Sequence, residues 1–331
     1  MFFIKKVLII FGGNSSEHYI SCKSCKSIIE NIDKRLFKYE VVGIDFDNTW
    51  YKFNDSLEYL ENGNWKDANI LKIDNIINYI KKFDVVFPIT HGTKGEDGKL
   101  QGLLEFFDIK FVGCNTLSST VGMDKHMSKV IFESLGIPVV KYVLIKDNYD
   151  IDEIVNEISF PMIIKPCNGG SSIGINNANN KKELKKAIKE AKKYDKKVII
   201  EKFIKARELE IAVLEDKGNL KISNPGEIKS SNEFYDYDAK YLNNNSLTII
   251  PNDLKSFVKE KMKNYAKKVF LGLDCKGYSR IDFFYIEESN KIYINEINTI
   301  PGFTTISMFP KLMENNNIKY KDLITILINN A

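Results

Sequence analysis

Asn295-Glu296-Ile297-Asn298-Thr299-Ile300-Pro301-Gly302-Phe303-Thr304-Thr305-Ile306-Ser307-Met308 is the stretch on which the fold reading turns. Its first residues close a strand predicted over 291–297, and Pro301-Gly302 then turns the chain into the start of a helix. A helix start offers backbone amides with no acceptor inside the helix, which suits a carboxylate or an oxyanion. Upstream, Arg280-Ile281-Asp282 lies on a strand predicted over 278–287. Side chains two apart on a strand share a face, so Arg280 goes with Asp282 and Glu296 with Asn298. If the strands pair, one guanidinium and three oxygen-bearing side chains converge. Asp, Glu and Asn are hard-oxygen donors of the kind Mg²⁺ takes while completing its shell with phosphate and water. A surface ion pair is the plainer alternative, and the strongly apolar flanking residues argue against it.

Two further polar loops follow predicted strands. Cys167-Asn168-Gly169-Gly170-Ser171-Ser172-Ile173-Gly174 comes after the strand at 162–165. Glycines let backbone amides approach an anion and serines add donors, so a phosphate cradle and an ordinary surface turn both fit. No Gly-Lys-Ser/Thr follows, which excludes a P-loop, and no GxGxxG follows the first strand, which excludes the usual dinucleotide fingerprint. His91-Gly92-Thr93-Lys94-Gly95-Glu96-Asp97-Gly98 follows the strand at 84–89, the end at which open α/β sheets place ligands. His91 suits a structural role there as well as a functional one.

Working outward, strands and helices alternate over 1–114: strands at 6–11, 39–46, 84–89 and 110–113, helices at 19–34, 70–82 and 98–107. That pattern is a doubly wound parallel-sheet domain. A second α/β unit covers 115–204, with helices near 122–135, 150–158 and 181–194 and strands at 139–146, 162–165 and 198–203. Lys-rich 181–197 reads as a solvated helix face. From 205 to 331 the pattern becomes antiparallel: a hairpin over 208–228, a polar and aromatic stretch over 230–246 without apolar periodicity, a helix at 253–271, the two strands above, and two final helices. Apolar residues make up 44% of the chain, enough for a large core, which excludes global disorder. No apolar run is long enough to predict a transmembrane helix, and MFFIKKVLIIFGG reads as a buried strand rather than a signal peptide. The net charge of +4 rests on lysine, Arg35, Arg207 and Arg280 being the only arginines, and no mixed Lys/Arg face of a nucleic-acid binder emerges. Five cysteines without a secretory signal point to reduced thiols in a cytosol, and Cys22-x-x-Cys25 reads as packing thiols.

Seven motifs occur in order: GGNSSEHYIS at 12–21, HGTKGEDGKLQGLLE at 91–105, MDK at 123–125, IIKPCNGGSSIG at 163–174, FYDYDAKY at 234–241, RIDFF at 280–284 and NEINTIPGFTTISMFP at 295–310. Over its whole length the chain resembles the D-alanine–D-alanine ligases of the ATP-grasp superfamily. The resemblance implies a three-domain α/β architecture: an N-terminal substrate-binding domain (1–114) and two α+β subdomains (115–204 and 205–331) that grip ATP, with a mobile lid at 230–246. It implies a cytoplasmic ligase that joins two D-alanines through an acyl phosphate for peptidoglycan precursors. Asp282, Glu296 and Asn298 would hold two Mg²⁺ ions, with Mn²⁺ as a substitute. Lys125 and Lys165 would contact ATP phosphates, and Lys240 would reach the γ-phosphate from the lid. Glu201, Phe203 and Ile204 would bind adenine, Glu208 the ribose, and Phe284 would pack on the base.

On the substrate side, Glu17 would take the ammonium of the first D-alanine, with His91 nearby. Ser171 and Tyr241 would join Glu17 in a hydrogen-bonded set that closes the lid. Arg280 and the Gly302 amide would form the oxyanion hole, and Ser307 with the Met308 amide would hold the second carboxylate. The implied partners are D-alanine, ATP and a second copy in a homodimer, with neither nucleic acid nor membrane. Residues 112–119 resemble the D-Ala–D-Ser ligases of vancomycin resistance, which stay an alternative; Lys240 with Tyr241, and apolar Met308, favour D-alanine. A non-catalytic nucleotide-binding regulator on the same fold is the other alternative, and would be expected to have lost a metal ligand or Lys240.

Overall fold

A computed structural model describes residues 4–229, 247–251 and 253–331. Three sheets carry them. In the first, β1 (Lys5–Gly12) is central, parallel to β2 (Phe37–Ile44) on one side and to β5 (Val85–Pro88) on the other. Both faces of β1 are covered, which is why Val7–Phe11 is a continuous apolar run and wholly buried. β3 (Trp50–Phe53) and β4 (Ile70–Lys72) extend the β2 edge antiparallel. The turn at 45–49, closed by Asp45 N–H to the Thr49 carbonyl at 2.9 Å, is too short for a parallel crossover. The helix expected over 70–82 is therefore β4 plus the short helix Ile76–Ile80, and the strand expected at 110–113 is reduced to one bridge from Phe111 to Val86.

The second sheet is antiparallel, in the order β6 (Tyr142–Ile145), β9 (Val198–Lys202), β7 (Met162–Pro166), β8 (Asn176–Ala178). Helix Lys181–Ala191 covers it with Leu184, Ala187, Ile188 and Ala191, one stripe at helical spacing, and turns its lysines outward. The third sheet runs β13 (Leu247–Ile249), β12 (Gly226–Lys229), β10 (Arg207–Asp216), β14 (Tyr278–Ile286), β15 (Lys291–Asn298), with β11 (Asn219–Ile222) on the far half of β10. The hairpin expected over 208–228 is interrupted between β11 and β12. There Ser223 Oγ accepts the Ala212 amide at 3.0 Å, and Pro225 has no N–H to continue the ladder. Helix Ser256–Gly272 covers one face of this sheet, and helices Met308–Asn315 and Tyr320–Asn330 pack against the other. Among the described residues no helix is long and apolar enough to cross a membrane.

The helix expected over 122–135 is two helices, Thr116–Met123 and Lys125–Ser134, parted at Asp124. Asp124 is extended (φ −82°, ψ 102°), and its Oδ1 accepts the His126 and Met127 amides at 3.0 Å each. It also pairs with Lys197 and bridges to Asn168. This cap places Lys125 on the first turn, against the glycine-rich loop. Asp124→Ala removes both the cap and the ion pair. Urea unfolding should show a loss of about 1–2 kcal/mol, and a change within error would mean that the break in the helix is held by packing alone.

Candidate functional site

β14 and β15 meet with Arg280 opposite Asn298 and Asp282 opposite Glu296, so these four side chains share one face. Beyond Asp282 the register shifts, Phe283 pairing with Ile294, and Asn295 is the extra residue of a bulge. The bulge brings Asn295 onto the cleft as well, where its Oδ1 lies 3.4 Å from Lys165 Nζ. On the other flank, β10 sets Glu210 opposite Asp282. Arg280 donates from Nε to Asp282 Oδ1 and from Nη2 to Oδ2, each at 2.8 Å. The same Nε is 3.0 Å from Glu210 Oε2. Burial alone would lower the guanidinium pKa, but Asp282 and Glu210 outweigh it and hold the group well above its ordinary value. Asn298 donates from Nδ2 to Asp282 Oδ2 at 3.0 Å, which leaves its amide oxygen as the atom that could take a cation.

Two cavities, of about 250 and 230 Å³, adjoin along Lys125, Gly170, Ser171, Glu208, Phe284 and Glu296. Glu17, His91, Arg280, Asp282, Asn298, Gly302, Ser307 and Met308 line the first. Ser171 Oγ donates to Glu17 Oε1 at 2.5 Å, joining the first unit to the glycine-rich loop. Two glycines admit that carboxylate. A Cβ on Gly170 would lie 2.4 Å, and one on Gly92 2.7 Å, from Glu17 Oε2, and Gly92 also has φ +77°. His91 Nδ1 is 2.9 Å from the Ile300 carbonyl and so carries the proton, while Nε2 accepts from Ser24 Oγ at 2.9 Å. Burial lowers its pKa, leaving a neutral ring. His91 thus ties the end of β5 to the turn at 300–303. Ser307 Oγ accepts the Thr304 amide at 3.1 Å. In the helix that follows, Pro310 has no N–H and Lys311 N–H already reaches the Ser307 carbonyl, so the first-turn amides facing outward are those of Met308 and Phe309. The Met308 side chain packs on Gly226, where a Cβ would fall 2.5 Å from its sulfur.

Lys165, Glu201, Phe203 and Ile204 line the second cavity, and Glu208 stands exposed at its mouth. The buried Glu201 carboxylate is engaged at both oxygens, with Lys165 Nζ at 2.8 Å and Lys129 Nζ at 3.0 Å. Burial would raise its pKa; the two lysines outweigh that and hold it at about 2. Lys125 Nζ donates to the Gly169 carbonyl at 2.6 Å and lies 3.8 Å from Glu296. Lys240 and Tyr241, with the rest of 230–246, lie outside the described residues. Among the described residues no three His, Cys, Asp or Glu side chains gather as a closed metal site. Two facing carboxylates and one amide oxygen instead suit a hard cation that keeps much of its shell in phosphate and water.

The sequence reading assigned no role to three buried groups here. Lys129, one helical turn beyond Lys125, is 1% exposed and completes the Glu201 pair. Glu210 is two residues after Glu208 and shares its face of β10. Glu96, within the HGTKGEDG motif, accepts the Gly92 amide at 2.9 Å. Burial, then the nearby charge of Glu17, pushes its pKa up to about 8.

Comparison with known proteins adds the following. The family model described as D-ala D-ala ligase N-terminus matches residues 6–114, and the one described as D-ala D-ala ligase C-terminus matches 131–329. A D-alanine–D-alanine ligase of Acetivibrio thermocellus is 44% identical, over 99% of this chain and 96% of its own length. One from Clostridium acetobutylicum is 43% identical, over 98% and 97%. Among solved structures, the VanG D-Ala:D-Ser ligase of Enterococcus faecalis superposes with a TM-score of 0.89 at 34% identity, covering 99% of both chains. The D-alanine–D-alanine ligase of Coxiella burnetii gives 0.86 at 32%, covering 99% of this chain and 93% of that one.

Glu96 yields a prediction whose sign is fixed. Between its ordinary value of 4.5 and about 8, the folded chain keeps a proton that the unfolded chain has lost. Its contribution to stability therefore falls as pH rises through that window. Glu96→Gln cannot titrate. Relative to wild type, the variant should gain about 1–3 kcal/mol in urea unfolding between about pH 5 and about pH 7.5. Parallel pH profiles would mean that Glu96 is ionised in the fold.

Proposed function

The chain belongs to the D-alanine–D-alanine ligase family, and from that premise we propose that it joins two D-alanines into D-alanyl-D-alanine, with ATP converted to ADP and phosphate, as a step towards peptidoglycan. The observation that carries the reading is the meeting of two cavities, of about 250 and 230 Å³, at Glu296 on the polar face it shares with Asp282. A carboxylate is a poor electrophile, because its charge repels an amine and its oxygen leaves badly. Phosphorylation of the first D-alanine removes both obstacles, after which the amine of the second attacks the carbonyl and phosphate departs.

In this reading Glu17 binds the first ammonium, and Ser171 and Tyr241 hold Glu17 in place. His91, neutral and bonded at both nitrogens, keeps the 300–303 turn beside that substrate. Lys125 and Lys165 offset phosphate charge, with Lys240 added from 230–246, a segment assigned as the lid from its FYDYDAKY motif. Arg280 and the Gly302 amide stabilise the oxyanion. Ser307 and the Met308 amide receive the second carboxylate. Glu201, Phe203 and Ile204 bind adenine, Glu208 the ribose, and Phe284 the base; since its carboxylate is held by two lysines, Glu201 acts on the nucleotide together with them. Asp282, Glu296 and Asn298 are the residues that would hold two Mg²⁺ ions, or Mn²⁺ in their place, and such ions when bound neutralise charge on the transferred phosphoryl group. We assign 1–114 to substrate binding, 115–204 and 205–331 to gripping ATP, and the chain to the cytoplasm as a homodimer.

A second nucleophile is supported by the resemblance of residues 112–119 and by the likeness to a D-Ala:D-Ser ligase structure. The sequence relatives at 43–44% identity support D-alanine. With ATP, Mg²⁺ and D-alanine, phosphate release should accompany D-alanyl-D-alanine identified by mass, and D-serine added at equal concentration should give the minor product. A dominant mixed dipeptide would reassign the second substrate, and no release with D-alanine would reject the activity. Asp282→Asn and Glu296→Gln should each lower kcat by about 100-fold or more with unchanged circular dichroism, and wild-type rates at ordinary Mg²⁺ would reject the metal assignment.

A further inference from the structure

Glu210 has no role in the preceding reading, yet it is a buried carboxylate on the working face of the third sheet. Glu210, Asp282 and Glu296 form one row across β10, β14 and β15. One pleat along lies the row Ala212, Arg280, Asn298. Arg280 therefore has an acidic residue diagonally on β10, and the β10 residue directly beside it is only alanine. Its Nε carries a single hydrogen. Asp282 Oδ1 lies 2.8 Å from that nitrogen and Glu210 Oε2 lies 3.0 Å from it. One N–H can be given fully to only one of them, and the second Asp282 bond, Nη2 to Oδ2 at 2.8 Å, makes Asp282 the partner in this structure.

That pairing conflicts with a metal-ligand role for Asp282. Each carboxylate oxygen has two acceptor sites. Asp282 Oδ2 already takes both Arg280 Nη2 at 2.8 Å and Asn298 Nδ2 at 3.0 Å, so a cation at that oxygen has to displace one of them. The guanidinium lies largely out of water, where loss of carboxylate partners is strongly unfavourable, and once Asp282 loosens its hold the ion pair with Glu210 at 3.0 Å is what remains. Glu210 is the acceptor already in place. We propose that Glu210 is a positioning residue that receives Arg280 when Asp282 turns to a divalent cation, so that the guanidinium stays paired and aimed at the reacting carbonyl. The inference rests on the metal assignment of Asp282 in the proposed function. It makes Arg280 a two-position element whose balance is set by the cation.

Mn²⁺ binding in the presence of ADP, followed by electron paramagnetic resonance, tests the proposal without turnover. Glu210→Gln keeps the shape and removes the charge, and Glu210→Asp keeps the charge and withdraws it from Nε by one methylene. Both should weaken Mn²⁺ binding by about tenfold, while ADP affinity without metal stays within about twofold of wild type. A Glu210→Asp protein that binds Mn²⁺ as wild type does would reduce Glu210 to a diffuse charge and overturn the hand-over. Failure of the wild-type protein itself to bind Mn²⁺ would overturn the metal assignment along with it. A measurement on the unaltered chain covers variants that do not fold. With only three arginines, ¹⁵N-arginine labelling gives three Nε–H signals, which Arg35→Lys and Arg207→Lys identify. The Arg280 signal should move on adding Mg²⁺ and ADP and should still exchange slowly with water. A signal that does not move, or one that loses its protection, rejects the hand-over.

Discussion

The register in which β14 meets β15 is the constraint from which the cleft follows. With Asp282 facing Glu296 and Arg280 facing Asn298, four polar side chains leave the sheet on one side, in a layer otherwise packed with Ile281, Phe283, Ile294 and Ile297 on the other. A slip of β15 by one residue would turn Glu296 and Asn298 into that apolar layer and bring Ile297 out, while β14 stays fixed by its pairing with β10. The core behind the sheet therefore enforces the register, and the polar face inherits its geometry from residues that never touch it. The bulge at Asn295 adds a local correction that sets Asn295 beside Lys165 without disturbing the pairing on either side. β10 completes the row with Glu210, and its own partner strand breaks at Ser223-Asn224-Pro225 before pairing resumes at β12.

The charges gathered there do little to stabilise the fold as such. Ion pairs removed from water recover in Coulomb energy roughly what they lose in hydration, so Lys129–Glu201–Lys165 and Glu210–Arg280–Asp282 are poor stabilisers compared with apolar residues of the same volume. Both clusters nevertheless share a design. An odd member of one sign lies between two of the other, so in formal charge the Glu201 cluster has one positive group in excess and the Arg280 cluster one negative group in excess, burial lowering the Lys129 pKa against the pull of Glu201. The positive surplus sits in the cavity suited to phosphates, and the negative one sits where a divalent cation would approach. Unequal pairing thus builds in the charge that a ligand brings to balance, and a fully neutralised cleft would not have it.

The parts of this arrangement that a sequence exposes are those with short periods. Arg280 with Asp282 and Glu296 with Asn298 are legible from two-residue alternation, and the order of strands and helices gives the sheets. Cys22 and Cys25 read as packing thiols, and both are fully buried, with the Cys22 thiol pushed up to about 12 by that burial. Features that depend on long-range pairing were not legible. Nothing local marks Asn295 as a bulge, because the extra residue is defined only against β14. Lys129 sits within an amphipathic helix where a lysine ordinarily faces water, and only the approach of Glu201 from β9 accounts for its burial. Asp124 lies inside a run with helical spacing, and its cap geometry depends on the contacts with Lys197 and Asn168. β3 and β4 escaped notice because short edge strands carry little alternation, and a helical reading of 70–82 competes with them.

The substrate side is also a product of distance in sequence. Glu17 comes from the start of helix His18–Asn31, Ser171 from the glycine-rich loop, and His91 from the end of β5, and His91 bonds a carbonyl 209 residues away. The ammonium site proposed at Glu17 would therefore not be contained in any one of the three sheets. It depends on Gly92 and Gly170 standing on either side of the carboxylate, since a methyl group at either would occupy its place. His91 is held neutral by burial and is saturated at both nitrogens, so it brings no charge to that site; what it brings is rigidity, fixing the turn that carries Gly302 to the sheet that ends at Gly92. In the proposed reaction, the amine end of one substrate and the oxyanion end would thereby be held in one frame. Phosphoryl transfer and amide formation at the same carbonyl require such a frame, because the two steps share an atom and leave little freedom in its position.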